Sequence, residues 1–504
     1  MKAIALPSTL VGLRAAISAG ELSPELALQQ QMERLSLDEH VHALTHRFAV
    51  RTPPEISLPL GGVGLAHKDI FIMQGRLPQC GTHIDDFTES QIERWHAQSA
   101  NQGDSPVVRA LEAAGSTTLA AVTMAEFASG VTGENPNLPL PVNPLDPDAA
   151  VGGSSSGSAV AVAAGLCYGS LGTDTAGSVR IPAATCGIVG LLPTRGVLSS
   201  KACFPLAPGL DTVGVLARSA LDAAQLLANC LQPDEVQHRL PGLRLTDSAS
   251  LSGQQGTKTV YNSLKLATAP RLALALEHPD QRFNPISEQA TLLEAHAREW
   301  ARGGSFSSVK LGMQPELTRS ANVMMHVEAA TTHMAAMQAD RLGPIPQGVA
   351  LPGAALPATW YAQCLEQRAR LQRAFCDEYL TDADILLTPA LPHGVPNWAE
   401  VLTNSQTFNP FALLALFSWT SFVNYLALPA VVFPIGQDAR GRPVCVQAIG
   451  RPHSEHLLLA FAYSHERNAW GTEGFIPAAM SSVSFTPKHQ AVSLHDVVPE
   501  TSGA

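Results

Sequence analysis

Two glycine- and serine-rich segments hold the densest cluster of reactive side chains in this sequence: Val151-Gly-Gly-Ser-Ser-Ser-Gly-Ser158 and Gly172-Thr-Asp-Thr-Ala-Gly-Ser-Val-Arg-Ile-Pro182. Glycines among serines give the backbone conformations that other residues resist. They also leave N–H groups bare to hold an anion. A phosphate loop, G-x-x-x-x-G-K-[ST], shares the spacing of Gly152 and Gly157, but Ser158 stands where its lysine must be, so that reading fails. The G-x-S-x-G elbow of α/β-hydrolases is matched by Gly153 to Gly157, with Ser155 at its centre. An elbow follows a strand, however, and Asn143-Pro-Leu-Asp-Pro-Asp-Ala149 reads as loop. Taken alone, the first segment also suits a purely structural loop. The second segment offers consecutive small residues whose N–H groups can converge on one point, ending at Ser178. A serine nucleophile needs a base, and no histidine is near in sequence. Lysine can serve where burial lowers its pKa. Lys68 lies in the apolar run Gly64-Leu-Ala-His-Lys-Asp-Ile-Phe-Ile72 and is the candidate. Its other readings are an ion pair with Asp69 or a side chain that snorkels to solvent.

The elements around these residues follow from local pattern. Ser23-Pro24-Glu25 is a helix start, with a capping serine and proline at the first helical position, and this helix runs to about Leu35. Pro59 to Ala66 reads as a turn and a short buried strand, Val107 to Ala114 as helix, and Thr117 to Val122 as strand. Residues 133–157 are loop-like. Only small apolar residues fill Ala159 to Gly165, which predicts a helix packed on all sides. Strands recur at Ala383 to Thr388 and Ala430 to Pro434. Helices separated by short apolar strands mean an α/β chain with a largely buried sheet. Residues 236–266 read as a polar surface insertion and 478–504 as a loose tail. Nothing else resembles a linker, so 1–477 is expected to be one large domain.

Composition narrows the function. The net charge of −11 argues against nucleic acid as a partner, because phosphate contacts need clustered Lys and Arg. With 45% hydrophobic and only 15% charged residues, the chain cannot be disordered wholesale. Its 8 cysteines form no CxxC pair and no zinc spacing, which suits buried thiols in a reducing, cytoplasmic setting. Pro7 and Arg14 interrupt the apolar N-terminus, against a signal peptide. Phe411 to Ile435 carries no charge, yet Asn424, Pro429 and Pro434 favour a buried helix and a core strand over a membrane span. His453 and His456 do not match H-E-x-x-H, so no metal is expected there. The methionine-rich stretch Met324 to Met337 suits core packing, or else a pliable pocket wall.

Together these residues resemble the amidase signature family of serine hydrolases, over about residues 20–470. The series runs in order: Lys68-Asp69 after its strand, Glu126-Phe127-Ala128, Asn143-Pro144, Gly152-Gly153-Ser154-Ser155, Ser178, Leu210-Asp211-Thr212-Val213-Gly214, Ala217-Arg218-Ser219, Asp384 to Pro389, Asn424 to Ala430, then Gln447 and Glu455. Gly62-Val63-Gly64 departs from the usual Gly-Ile-Pro or Gly-Val-Pro, and Ala176 replaces the first glycine of the common Gly-Gly-Ser. Members with alanine there exist, including hydrolases acting on nylon-type oligomers.

The resemblance implies a central mixed β-sheet covered by helices on both faces. It also implies a Ser-Ser-Lys triad of Lys68, Ser154 and Ser178, with Ser154 after a cis peptide bond. Lys68 would draw a proton from Ser154, Ser154 one from Ser178, and Ser178 would attack the carbonyl. The N–H groups of Thr175, Ala176, Gly177 and Ser178 would form the oxyanion hole. No metal or organic cofactor is implied. Asp174 and Arg180 read as an architectural pair, and Met124, Met325 and Trp419 as candidate pocket walls. The expected activity is hydrolysis of a linear amide, anilide, carbamate or polyamide-type bond by a monomer or homodimer. The other readings are the glutamine-hydrolysing component of an aminoacyl-tRNA amidotransferase and a catalytically silent binding relative. The loops around 80–100, 200–210, 310–350 and 400–420 are expected to set specificity.

Overall fold

A computed structural model of the chain describes residues 6–50, 55–82, 103–231, 233–240 and 264–470. The expected tail at 478–504, most of the 236–266 insertion and most of the 80–100 loop lie outside these.

Eight strands make the main sheet: β4 (Gly169–Asp174), β5 (Val189–Leu192), β6 (Thr212–Ala217), β7 (Leu272–Glu277), β8 (Phe306–Lys310), β9 (Ile385–Pro389), β10 (Ala430–Gln437) and β11 (Pro443–Ile449). Their order is β4-β6-β5-β10-β11-β9-β7-β8. Pairing is antiparallel from β4 to β9 and parallel from β9 through β7 to β8, so the sheet is mixed. Successive strand residues point to opposite faces, and both faces are buried. Val431 and Phe433 of β10 enter one core with the helices Ala220–Asn229, Ser287–Trp300 and Glu455–Trp470, while Ala430 and Val432 enter two cores on the other face. That other face is covered by the helices Ser156–Ala163, Arg180–Thr185, Gln314–Gln338 and Ala358–Tyr379.

A second ladder of three strands, β1 (Leu44–Arg47), β2 (Gly64–Lys68) and β3 (Thr117–Val122), has the order β1-β3-β2. The two ladders meet edge to edge at β2 and β4. Tyr168 N–H donates to Gly64 O at 3.1 Å. One step further, Leu171 N–H donates to the His67 Nδ1 atom, also at 3.1 Å. A side chain thus takes the place of a backbone carbonyl in the seam. Burial lowers the His67 pKa to about 3, so its ring is neutral and Nδ1 can accept.

The helix Ser156–Ala163 is buried along its whole length, as its small residues predict, and it starts three residues earlier than expected. A Cβ at Gly157 would lie 2.5 Å from Thr123 N and 2.6 Å from Ala43 O, so only glycine fits that helix–strand contact. The uncharged stretch 411–435 differs from its reading: the helices Pro410–Ala415 and Ser421–Tyr425 replace the single one, and β10 follows. No described helix is long and apolar enough to cross a membrane.

Candidate active site

Lys68 ends β2 and Thr173 stands one residue before the end of β4, so the seam sets them side by side. Lys68 has no exposed surface. Its Nζ donates to Ser154 Oγ at 2.8 Å and to Thr173 Oγ1 at 2.9 Å. Neither the ion pair with Asp69 nor snorkelling occurs. Asp69 is taken by Arg76, Nη1–Oδ1 2.7 Å and Nη2–Oδ2 3.1 Å. Burial pulls the Lys68 ammonium down to about 8, against the opposing pull of Asp211 and Asp174. A lysine in this state yields a free lone pair near neutral pH.

Gly152, two residues before Ser154, has a φ of +68° that needs glycine, and the Gly153–Ser154 peptide is cis. Ser155 N–H donates to Ser178 O at 3.1 Å, which ties the two glycine-serine segments together. The Ser155 hydroxyl donates to Thr173 O at 3.3 Å in a fully buried position. No strand leads into Gly153–Gly157, unlike an α/β-hydrolase elbow. Ser178 is buried but for 6% of its surface.

Asp174 and Arg180 hold the loop that carries Ser178. Burial opposes ionisation of Asp174, but Arg180 outweighs it and keeps the carboxyl below its usual range. Arg180 makes two bonds to Asp174, at 3.0 and 2.9 Å, and reaches Asn424 Oδ1, Gln447 Oε1 and Thr420 O. Asp174 in turn accepts from Gly177 N–H at 2.7 Å and Val179 N–H at 3.1 Å. Of the four amides expected to face an oxyanion, that of Gly177 is thus already committed, and Thr175, Ala176 and Ser178 are left. The Thr175 hydroxyl donates to Asp211 Oδ1 at 2.6 Å, and Asp211 Oδ2 accepts from Leu206 and Ala207 N–H.

A cavity of about 50 Å³ opens beside Thr173, between Cys203, Phe204, Pro205 and Asp211. The loop over it is clamped at Gly209, whose N–H is accepted by Glu328 at 2.6 Å and whose carbonyl takes Arg195 and Arg368 at 2.8 and 2.6 Å. A larger cleft of about 630 Å³ lies elsewhere, and none of Lys68, Ser154 and Ser178 lines it. Of the expected pocket walls, Met124 and Trp419 have no exposed surface and Met325 is half-buried. None of the three lines either cavity. Met124 packs in a core, and Trp419 is pinned by its Nε1–H to Phe283 O at 3.0 Å. The sequence reading misses Thr173 and Arg76 as the groups that orient and free Lys68. It gives Asp211 no role.

The amidase family profile matches residues 51–459. The chain belongs to the amidase family. It is 31% identical to Amidase 1 of Oryza sativa subsp. japonica, over 83% of this chain and 93% of that one. It is also 31% identical to a glutamyl-tRNA(Gln) amidotransferase component of Synechococcus sp. WH7803, over 82% of this chain and 84% of that one. A crystal structure of an amidase superposes with a TM-score of 0.73 at 25% identity, covering 91% of this chain and 99% of the other. This amidase thus hydrolyses C–N bonds on the single-domain mixed-sheet fold of its relatives.

Proposed function

We propose that this amidase works through an acyl-enzyme on Ser178, with Ser154 and neutral Lys68 as the proton relay, on a linear amide, anilide, carbamate or polyamide-type bond. One observation carries the reading: a buried lysine that faces two hydroxyls and has no carboxylate partner. As a neutral amine it keeps one N–H on Thr173 and turns its lone pair to Ser154. Ser154 passes its proton to Lys68 as it accepts the proton of Ser178, and Ser178 Oγ attacks the carbonyl carbon. The amides of Thr175, Ala176 and Ser178 meet the oxyanion, where losing one such donor costs on the order of 10²–10³ in rate. The relay returns the proton to the leaving nitrogen, and water then hydrolyses the ester. The relay needs Ser178 Oγ to come within about 3 Å of Ser154 Oγ when substrate binds.

A glutaminase within an amidotransferase is the second reading, favoured by the similarity to the Synechococcus protein. Eight free thiols suit a reducing cytoplasm, and a monomer or homodimer would suffice for the chemistry. The test is intact mass after a serine-reactive fluorophosphonate on wild type, Ser178→Ala and Ser155→Ala. Loss of the label in Ser178→Ala alone supports the reading. A label that survives Ser178→Ala would refute it. Turnover of anilides and carbamates by the lone chain separates the first reading from the glutaminase.

A further inference from the structure

The loop that carries Ser178 presents two carbonyls, Asp174 O and Ala176 O, to one short element. The Asn424 amide donates to Asp174 O at 2.9 Å, and the Thr420 hydroxyl donates to Ala176 O. Thr420 immediately precedes the helix Ser421–Tyr425, and Asn424 lies on it. Phe417 O is a second acceptor within reach of the Thr420 hydroxyl, at 3.1 Å, but it already takes Thr420 N–H and is the farther of the two. The one hydroxyl proton therefore goes to Ala176 O. Thr420 is itself fixed: it is buried, and its carbonyl accepts from Arg180 Nη1 at 3.1 Å.

In a planar trans peptide the C=O and N–H point opposite ways. Holding Asp174 O against Asn424 thus turns Thr175 N–H away from the helix Ser421–Tyr425. Holding Ala176 O against Thr420 turns Gly177 N–H away as well, to Asp174 Oδ1 at 2.7 Å. The Ala176–Gly177 peptide is therefore tied at both ends. The N–H groups of Ala176 and Ser178, on either side of it, have no acceptor among the described residues. A Cβ at Gly177 would lie 2.5 Å from Thr420 Oγ1, so glycine is what lets Thr420 come this close.

We propose that Thr420 is a positioning residue for the oxyanion hole. Through Ala176 O it locks the Ala176–Gly177 peptide, and so aims the Ala176 and Ser178 amides that flank it at the substrate oxygen. The inference rests on the Ser178 reading. Without the hydroxyl, Ala176 O loses its partner and the peptide is free to turn about Gly177, whose φ is +131°. The bonds of Lys68 to Ser154 and Thr173 do not involve Thr420 and stay as they are.

The test is the rate at which an alkyl fluorophosphonate labels the full chain, followed by intact mass and peptide mapping, in wild type, Thr420→Val, Thr420→Ala and Thr420→Ser. Ser178 Oγ bonds to phosphorus, fluoride leaves and the Ser178 proton passes to the relay, while charge builds on the phosphoryl oxygen as it would on a carbonyl oxygen. Thr420→Val should lower kinact by about 10- to 100-fold, less than the loss of a whole donor because the amides remain, with KI changed by less than about 3-fold. The pH midpoint of kinact should not move, since the base is untouched. Thr420→Ser keeps the hydroxyl and should stay within about 3-fold of wild type. Should Thr420→Val fail to fold, Thr420→Ala, which adds no bulk, is expected to show the same loss. A kinact within about 2-fold of wild type in the folded variant, a loss carried by KI, or an equal loss in Thr420→Ser would overturn the proposal and leave Ser178 as the nucleophile. A wild type labelled at another residue, or not at all, would overturn both.

Discussion

Breaking the Arg76–Asp69 pair should move the pH dependence of catalysis without touching a reacting group. Asp69 has no exposed surface and takes four bonds: two from Arg76, one from Thr45 Oγ1 at 3.1 Å and one from Gln79 N–H at 3.2 Å. Arg76→Gln leaves the last two and strips the carboxylate of its counter-charge. β2 ends at Lys68 and the chain turns at Asp69; a separation of about 8 Å between the freed charge and the ammonium is taken for the Coulomb energy. At an effective dielectric of about 20 that is worth about 2 kcal/mol, or about 1.5 pKa units in favour of the ammonium. Lys68 would climb from about 8 toward the alkaline side by that amount. The proposed relay needs a neutral base, so at pH 7 the active fraction should fall by about 30-fold and recover at high pH. The assay is kcat/KM on a chromogenic anilide between about pH 6 and 10.5, for wild type, Arg76→Gln and Asp69→Asn/Arg76→Gln. The double variant carries no freed charge and should return the limb to its wild-type place. A limb that stays put in Arg76→Gln, or moves equally in both variants, refutes the argument.

Thr173→Val removes the second acceptor of Lys68 at almost constant volume; kcat should fall by about 10-fold, about 1.4 kcal/mol, with KM little changed, in steady-state kinetics. Gly157→Ala puts a methyl group against the backbone of Thr123 and Ala43 and should lower stability by about 1–3 kcal/mol in denaturant unfolding. Burial pushes the carboxyls of Asp222 and Glu466 up, to about 6 and about 8. Each binds its proton more tightly folded than unfolded, so the stability this confers is full below about pH 4 and is lost as pH rises through the folded values. Calorimetry should show Tm falling between about pH 5 and 8, and Asp222→Asn should flatten the lower part of that fall.

The residues with the strongest local meaning are the readable ones. Lys68 stands out because an apolar strand is the wrong place for a solvated ammonium. The helix from Ser156 stands out because only small residues allow packing on every side. What stays hidden depends on contacts distant in the chain. Nothing in the sequence links Arg76 to Asp69 rather than Lys68. Thr173 becomes a partner of Lys68 only once β2 and β4 lie side by side. Trp419 and Met124 look like pocket walls because they are large and apolar, and the same property places them in cores. Asn409 accepts from the Phe411 and Ala412 N–H groups and so sets the start of the helix at Pro410, a local signal that the absence of charge outweighs in the sequence.

The seam at His67 gives this protein a form of self-restraint. Lys68 comes from the three-stranded ladder and Thr173 from the eight-stranded one, 105 residues apart, while Ser154 lies 86 residues from Lys68. Contacts of such sequence separation carry a large loop-closure cost and slow folding. Outside the closed seam Lys68 is an ordinary hydrated ammonium, so the proposed base exists only in the folded chain. On the proposed relay, hydrolysis needs both ladders docked, because only there is Lys68 buried between Ser154 and Thr173.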